Sequence, residues 1–88
     1  MITKEFTIDC HVGLHARPAA VLVDEASKYK ADIVLRHKEK QMSVKSIIGV
    51  MALGVKSGDR VELLVDGEDE MPAMARLSTF FEQEIKAL

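Results

Sequence analysis

The sequence predicts an α+β fold: a four-stranded antiparallel sheet with three helices on one face, an open-faced β-sandwich in the order βαββαβα. Four segments alternate apolar and polar residues, as half-buried strands do, and three segments repeat apolar residues at helical spacing. Strands that are apolar on one side need a cover, which three amphipathic helices can supply. The 88 residues contain no linker-like stretch, so we expect a single domain, residues 1–88.

The first two elements are a strand and a helix. Residues 2–10 alternate, and one face of the predicted strand carries Ile2, Phe6 and Ile8. A helix is predicted from Ala16, because the apolar residues then follow helical spacing: Ala19, Leu22, Val23, Ala26 and Tyr29. The outward face of this helix carries Asp24, Glu25 and Lys28. Pro18 is compatible only with the first helical turn.

A hairpin and a short helix come next. Residues 32–37 and 40–45 predict two paired strands around a polar tip at Lys38 and Glu39. The apolar segment that follows opens on Ser46, a good N-cap residue. It closes on Gly54, which suits the left-handed conformation just past a helix end. This segment therefore predicts the second helix.

The last two elements are again a strand and a helix. After a turn at Gly58 and Asp59, residues 60–66 alternate and predict the fourth strand. The remaining chain predicts a helix with Asp69 as its N-cap and Pro72 in its first turn. The apolar stripe of this helix continues through Ala73, Leu77, Phe80 or Phe81, and Ile85.

Composition limits the classes of function. Apolar residues make up 48% of the chain and charged residues 30%, which is typical of a folded globular protein, and a net charge of −2 gives no indication of nucleic-acid binding. No run approaches the roughly 18 apolar residues of a membrane span, and the first ten residues lack the apolar core of a signal peptide. The single cysteine, Cys10, cannot form an intramolecular disulfide. We therefore expect a cytoplasmic protein that does not insert into membranes.

The stretch VGLHARPAA, residues 12–20, carries the candidate chemistry. His15 lies at the start of the first helix, where free backbone N–H groups and the helix dipole favour an anion. The same field disfavours imidazolium, and a neutral imidazole has a nucleophilic ring nitrogen. Arg17 offers donors suited to phosphate oxygens, and Gly13 permits a close backbone approach. The pattern indicates a histidine that accepts a phosphoryl group and holds it against the helix end.

Other interpretations of His15 stay open at this point. A histidine before a helix is commonly a plain polar cap or surface residue. Cys10, His11 and His15 also combine ligand types that bind zinc or copper, but the histidines lie on either side of a turn and no second cysteine is present. We expect no metal and no cofactor. The chain has no nucleotide-binding glycine loop, so we expect a phosphoryl carrier served by other proteins rather than an enzyme.

The second helix is apolar on nearly every side. If it turns Val50 and Leu53 into the core, three side chains stay partly exposed as an apolar docking patch: Ile47, Ile48 and Met51. The alternative is that all of them belong to the core. Ser46 has two interpretations as well. It is a plain N-cap, or a phosphorylation site whose charge would stabilise the helix and make the rim of the docking patch negative.

Two segments carry a resemblance to a known family. GLHARPAA, beginning at Gly13, and KSIIGVMALG, beginning at Lys45, resemble the two signature segments of the HPr family. HPr proteins are the histidine-containing phosphocarriers of the bacterial phosphoenolpyruvate-dependent sugar phosphotransferase system. The spacing of the segments, the chain length and the order βαββαβα match as well, so the resemblance covers the whole chain.

The resemblance implies a monomeric phosphocarrier without a cofactor. It implies that phospho-enzyme I phosphorylates Nδ1 of His15, that the phosphoryl group passes to the A components of sugar permeases, and that Arg17 neutralises the phosphate. It also implies that an ATP-dependent HPr kinase/phosphorylase modifies Ser46. This modification would slow transfer from enzyme I and favour binding to a catabolite-control transcription factor. The docking patch matches the hydrophobic docking positions of the family.

The sequence departs from the family pattern at three places. Val12 stands where a small polar residue near the phosphate is usual, Lys38 and Glu39 stand where Asn-Gly is common, and Pro72 is unusual. One alternative is an HPr-like regulatory protein that acts by binding through the docking patch. Another is a small interaction module in which His15 is only a cap. The presence of His15 excludes a strict match to the paralogue that keeps the serine and lacks the active histidine.

Overall fold

A computed structural model describes residues 1–88 and confirms the predicted order of elements. The strands are β1 (Ile2–Thr7), β2 (Asp32–His37), β3 (Lys40–Ser43) and β4 (Arg60–Asp66). The helices are α1 (Ala16–Ala26), α2 (Ile47–Ala52) and α3 (Glu70–Glu82), followed by a 3₁₀ turn, Glu84–Ala87. The strands form one antiparallel sheet in the order β1-β4-β2-β3. None of the helices is both long enough and apolar enough to cross a membrane.

The core lies between one face of the sheet and the helices, because the inward residues of the strands are apolar. The inward positions of the two central strands, β2 and β4, are buried: Ile33, Leu35, Leu63 and Val65. The helices fill the space above them with Leu22, Ala26, Val50, Leu77, Phe80 and Phe81. Phe81 stacks on Phe6 of β1 with the ring centroids 4.8 Å apart. The apolar stripes expected from the sequence thus meet in one core.

The hairpin between β2 and β3 is tight although it lacks Asn-Gly. His37 pairs with Lys40, so only Lys38 and Glu39 form the loop. A two-residue hairpin loop favours left-handed backbone, and Lys38 adopts it with a φ of 58°. The departure from the family pattern at these two residues therefore leaves the hairpin intact.

Glu25, which the sequence predicts on the outward face of α1, takes part in a network of ion pairs that links α1, α3 and the 3₁₀ turn. Its carboxylate accepts a hydrogen bond from Nε of Arg76 in α3 at 3.2 Å. Arg76 also donates to both carboxylate oxygens of Glu84 in the 3₁₀ turn, at 2.8 and 2.9 Å. This turn, which the sequence did not separate from α3, brings Ile85 into the core.

Asp69 is the N-cap residue of α3, as predicted, but its side chain does not cap the helix. The carboxylate makes no capping bond. Its two oxygens accept hydrogen bonds from the backbone N–H groups of Lys30 and Ala31, each at 2.8 Å. Both bonds favour the ionised carboxylate and so lower the pKa of Asp69 below its usual value, and the bond from Lys30 has the larger effect. Asp69 therefore ties the loop between α1 and β2 to the start of α3.

Replacing Asp69 by Asn tests this contact through its pH dependence. Because the pKa of Asp69 is lower in the folded chain than in the unfolded chain, the ionised carboxylate stabilises the fold above about pH 4. That contribution disappears as the pH falls through the folded-state pKa. The free energy of unfolding of the wild type should then fall more steeply below about pH 4 than that of Asp69→Asn. Urea unfolding across this range measures both slopes, with Asp32→Asn, an exposed strand residue, as the control. Parallel curves for wild type and Asp69→Asn would contradict the contact.

Candidate functional site

His15 occupies the N-cap position of α1 with its side chain free. Its backbone is extended, with φ −81° and ψ −168°, and its carbonyl oxygen accepts the N–H of Ala19 at 2.9 Å. The imidazole ring makes no capping hydrogen bond, and the residue is exposed. His15 is therefore the N-cap residue by position, but its side chain does not cap the helix. Both ring nitrogens are open to a reacting group.

The backbone beside His15 offers two unpaired donors. The first turn of a helix has no intrahelical partners for its N–H groups. In α1, Pro18 has no N–H and Ala19 bonds to His15, which leaves the N–H groups of Ala16 and Arg17. Neither of these donates a backbone hydrogen bond within the chain. Together with the helix dipole, they form a place where an anion on the His15 ring would be stabilised.

The loop that carries His15 is held by the segment after α2. The N–H of Leu14 donates to the carbonyl oxygen of Val55 at 3.1 Å, and the N–H of Gly13 donates to that of Cys10 at 2.8 Å. Gly13 has a φ of 66°, and a Cβ there would lie 2.5 Å from the oxygen of Val55. The position therefore requires glycine. The sequence predicts that Gly13 permits a close backbone approach, and in the structure Gly13 lies against the backbone of Val55. This contact fixes the path of the chain into α1.

A hollow of about 710 Å³ lies beside His15. Arg17 lines it, is exposed, and forms no ion pair. Val12 lines it as well and presents no polar side-chain atom. No Asp or Glu side chain is among its walls, which are His11, Val12, His15, Ala16, Arg17, Pro18, Lys56, Ser57 and Leu88. The hollow is thus suited to a negatively charged group.

Helix α2 lies close to His15 and presents the docking patch. Val50 is buried, whereas Ile48 is 82% exposed, Ile47 42% and Met51 41%, so the interpretation of the whole segment as core is wrong. Met51 and His15 both line a smaller cavity of about 120 Å³. The structure therefore brings one end of the apolar docking patch to the histidine.

Ser46 is the N-cap of α2, as predicted. Its hydroxyl oxygen accepts the backbone N–H of Gly49 at 3.1 Å, and the residue remains exposed. Leu53 is buried at the other end of the helix, and Gly54 follows in the left-handed conformation with a φ of 66°. A further apolar residue that the sequence did not single out, Met42 of β3, places its methyl group against Gly49.

Sequence reasoning also missed the roles of three residues behind the site. His37 is buried, and its Nε2 lies 2.9 Å from Oδ2 of Asp59. The same carboxylate oxygen accepts a hydrogen bond from the backbone N–H of Lys56 at 3.0 Å. Both contacts lower the pKa of Asp59, and the bond from Lys56 has the larger effect. The alternation of β2 could have placed His37 inward. Lys56 and Asp59 lie between elements, where no periodicity indicates a contact.

The three residues considered as metal ligands differ in their surroundings. Cys10 is buried, whereas His11 and His15 are exposed on the hollow. No group of three or more His, Cys, Asp or Glu side chains in residues 1–88 is arranged to hold a metal ion.

Comparison with known proteins relates this geometry to one family. Residues 2–83 match the protein-family model described as the PTS HPr component phosphorylation site. The chain is 44% identical over 79 residues to phosphocarrier protein HPr of Lysinibacillus sphaericus, covering 90% of each protein. It is 36% identical over 85 residues to HPr-like protein Crh of Bacillus subtilis, covering 97% of this chain and 100% of Crh.

Solved structures of HPr and of Crh have the same fold as this chain. A crystal structure of HPr from Thermoanaerobacter tengcongensis superposes with a TM-score of 0.92 at 39% identity, covering 97% of this chain and 96% of the other. The crystal structure of Bacillus subtilis Crh, described as a dimer with a swapped domain, gives a TM-score of 0.76 and covers 97% of this chain and 98% of that one.

Two glycine substitutions measure how firmly the His15 loop is held. Gly13 and Gly54 have the same φ of 66°, but a Cβ at Gly54 would meet no atom within 4 Å. Gly54→Ala should lower the free energy of unfolding by about 1 to 2 kcal/mol, the cost of the left-handed backbone alone. Gly13→Ala adds the displacement of the Val55 carbonyl and should lower it by about 2 to 4 kcal/mol. Chemical denaturation gives both values, and equal losses would contradict the close backbone contact.

Proposed function

Because the chain belongs to the HPr family of phosphocarrier proteins, we propose that it carries a phosphoryl group on His15 in the phosphoenolpyruvate-dependent sugar phosphotransferase system. Phospho-enzyme I would supply the group, and A components of sugar permeases would receive it. The observation that supports this proposal most is the free His15 ring at the end of α1, next to the unpaired N–H groups of Ala16 and Arg17.

The transfer needs no catalytic apparatus beyond the site itself. The lone pair of Nδ1 of neutral His15 attacks phosphorus, an N–P bond forms, and the bond from phosphorus to the donor breaks with its electron pair leaving on the donor. The hydrogen of His15 stays on Nε2, so no proton has to move within this chain. The backbone N–H groups and the Arg17 guanidinium face the oxygens that carry the negative charge. The onward step is the same exchange in reverse, with the acceptor protein as the nucleophile.

Labelling with phosphoenolpyruvate and enzyme I tests the carrier role. We expect an acid-labile, base-stable phosphate on the wild type and none on His15→Ala. Arg17→Ala should slow the transfer about tenfold or more, because a charge-assisted hydrogen bond to the phosphate is lost, and should leave the fold intact. Arg60→Ala, which removes an exposed arginine at the start of β4, is the control. Label that survives in His15→Ala, or no label on the wild type, would contradict the proposal.

Ser46 extends the proposal to regulation. A phosphate on its hydroxyl, added by an HPr kinase/phosphorylase, would put about two negative charges at the N-terminus of α2. The backbone N–H of Gly49, which now donates to the hydroxyl oxygen, would donate to a phosphate oxygen in a stronger, charge-assisted bond. The fold would remain, but a partner of the docking patch would now meet a negative rim. Phosphorylation of Ser46 would in this way weaken docking of enzyme I and favour a catabolite-control transcription factor.

A second candidate function is an HPr-like regulatory protein that works by binding alone. The similarity to Crh and the exposure of the docking patch favour it. The two functions differ in what they require of His15, because the regulator needs only the patch and Ser46. We give priority to the carrier, which explains the free ring of His15, and we expect a cytoplasmic monomer in either case.

Substitution at the docking patch tests what binds there. Ile48→Glu should weaken binding of enzyme I about tenfold, because the exposed isoleucine would contribute to a desolvated contact. Met71→Glu is the matched control, since Met71 is 70% exposed and lies on α3. Isothermal titration calorimetry measures both affinities. If Ile48→Glu and Met71→Glu bind enzyme I equally well, the patch is not its docking surface.

A further inference from the structure

Lys56 lies directly behind the loop that carries His15. A Cβ on Gly13, two residues before the histidine, would lie 3.0 Å from Cα of Lys56. Lys56 also lines both the larger hollow and the smaller cavity that border His15. We propose that Lys56 supplies a second positive charge, beside Arg17, to the phosphoryl group on His15. This inference rests on the proposed carrier function.

The charge of Lys56 has no partner within the chain. Its ammonium group forms no ion pair and donates no hydrogen bond, unlike that of Lys45, which bonds to the carbonyl oxygen of Tyr29 at 2.8 Å. Neither space that it shares with His15 has an Asp or Glu side chain in its walls. A lysine ammonium on a flexible stem is free to approach a new anion there. A phosphoryl group on His15 is the anion that the carrier function would bring.

The backbone of Lys56 is fixed although its side chain is free. Its N–H donates to Oδ2 of Asp59, and the N–H of Asp59 donates back to its carbonyl oxygen, both at 3.0 Å. The turn is also joined to the chain after β1, because Ile8 donates to the carbonyl oxygen of Asp59 and accepts from Gly58, each at 2.8 Å. The lysine therefore starts from one defined point beside Gly13.

A buried histidine holds this turn to the end of α2. Nε2 of His37 faces the carboxylate of Asp59, and Nδ1 lies 3.0 Å from the carbonyl oxygen of Leu53. Each ring nitrogen of the buried His37 thus has a polar partner within hydrogen-bond distance. The segment from Leu53 to Asp59 is in this way anchored at its two ends, with Lys56 and Val55 between them.

Among the residues that line the hollow, Lys56 and Arg17 would stabilise the phosphate by their charge. Val12 offers no side-chain donor and Ser57 carries no charge, and Arg17 and Lys56 are the only Arg and Lys side chains in the walls of the hollow. His11, which also lines the hollow, is the same in every variant compared below. A phosphate dianion would meet the N–H groups of Ala16 and Arg17, one guanidinium and one ammonium. Because the ammonium favours the dianion over the monoanion, Lys56 should lower the second pKa of the phosphate, which is ordinarily about 6.

Chemical phosphorylation tests Lys56 without enzyme I. Phosphoramidate transfers its phosphoryl group to a ring nitrogen of His15, forming one N–P bond, breaking another and releasing ammonia. The ³¹P resonance that is missing from His15→Ala is then followed against pH in the wild type and in Lys56→Met, Lys56→Arg and Lys40→Met. Lys40 is the control, because it is exposed but lines neither space beside His15.

In Lys56→Met the phosphate should ionise at a pH higher by about 0.2 to 0.7 unit, the effect of one nearby surface charge. In Lys56→Arg and Lys40→Met the phosphate should ionise at the same pH as in the wild type. High salt should reduce the difference between Lys56→Met and the wild type. If Lys56→Met titrates with the wild type, if Lys40→Met shifts equally, or if phosphoramidate leaves His15 unlabelled, the inference is wrong. A Lys56-dependent shift together with no labelling by enzyme I would reject the carrier role alone.

Discussion

The contact between two stretches of backbone, Gly13–Leu14 and Val55–Lys56, is the constraint on which the candidate site depends. It joins the loop before α1 to the loop after α2 through the bond from the N–H of Leu14 to the carbonyl oxygen of Val55. At Gly13 a Cβ would lie only 2.5 Å from that oxygen. The contact thereby determines where α1 begins and which way His15 points. It also brings the end of α2 next to the histidine. A reactive ring, two free N–H groups and an apolar docking patch become one surface through this contact.

Electrostatics explain how so small a protein can hold a reactive group. The chain has a net charge of −2, yet the walls around His15 contain two cations and no acidic side chain. The N-terminal end of α1 favours an anion, so it would stabilise a phosphoryl group on the His15 ring. In the proposed carrier function, partner proteins would deliver and remove the phosphoryl group at this site.

The sequence predicted the elements well because local patterns determine them. The alternation of the strands, the spacing in α1 and the caps of α2 at Ser46 and Gly54 all depend on near neighbours. Contacts between distant segments were beyond such patterns. The carboxylate of Asp69 accepts hydrogen bonds from the N–H groups of Lys30 and Ala31 and none from its own helix. Lys56 lies against Gly13, which is distant in sequence. The order of the strands and the position of the loops determine these contacts, and neither leaves a periodic signal.

In the proposed carrier function, the end of α1 holds the phosphate of phosphorylated His15. The most direct measurement is the ¹H–¹⁵N spectrum of the protein before and after phosphorylation of His15. We expect the amide protons of Ala16 and Arg17 to move strongly downfield, as donors to a phosphate do, while the amides of the central strands keep their positions. Unchanged resonances of Ala16 and Arg17 in the phosphorylated protein would contradict it.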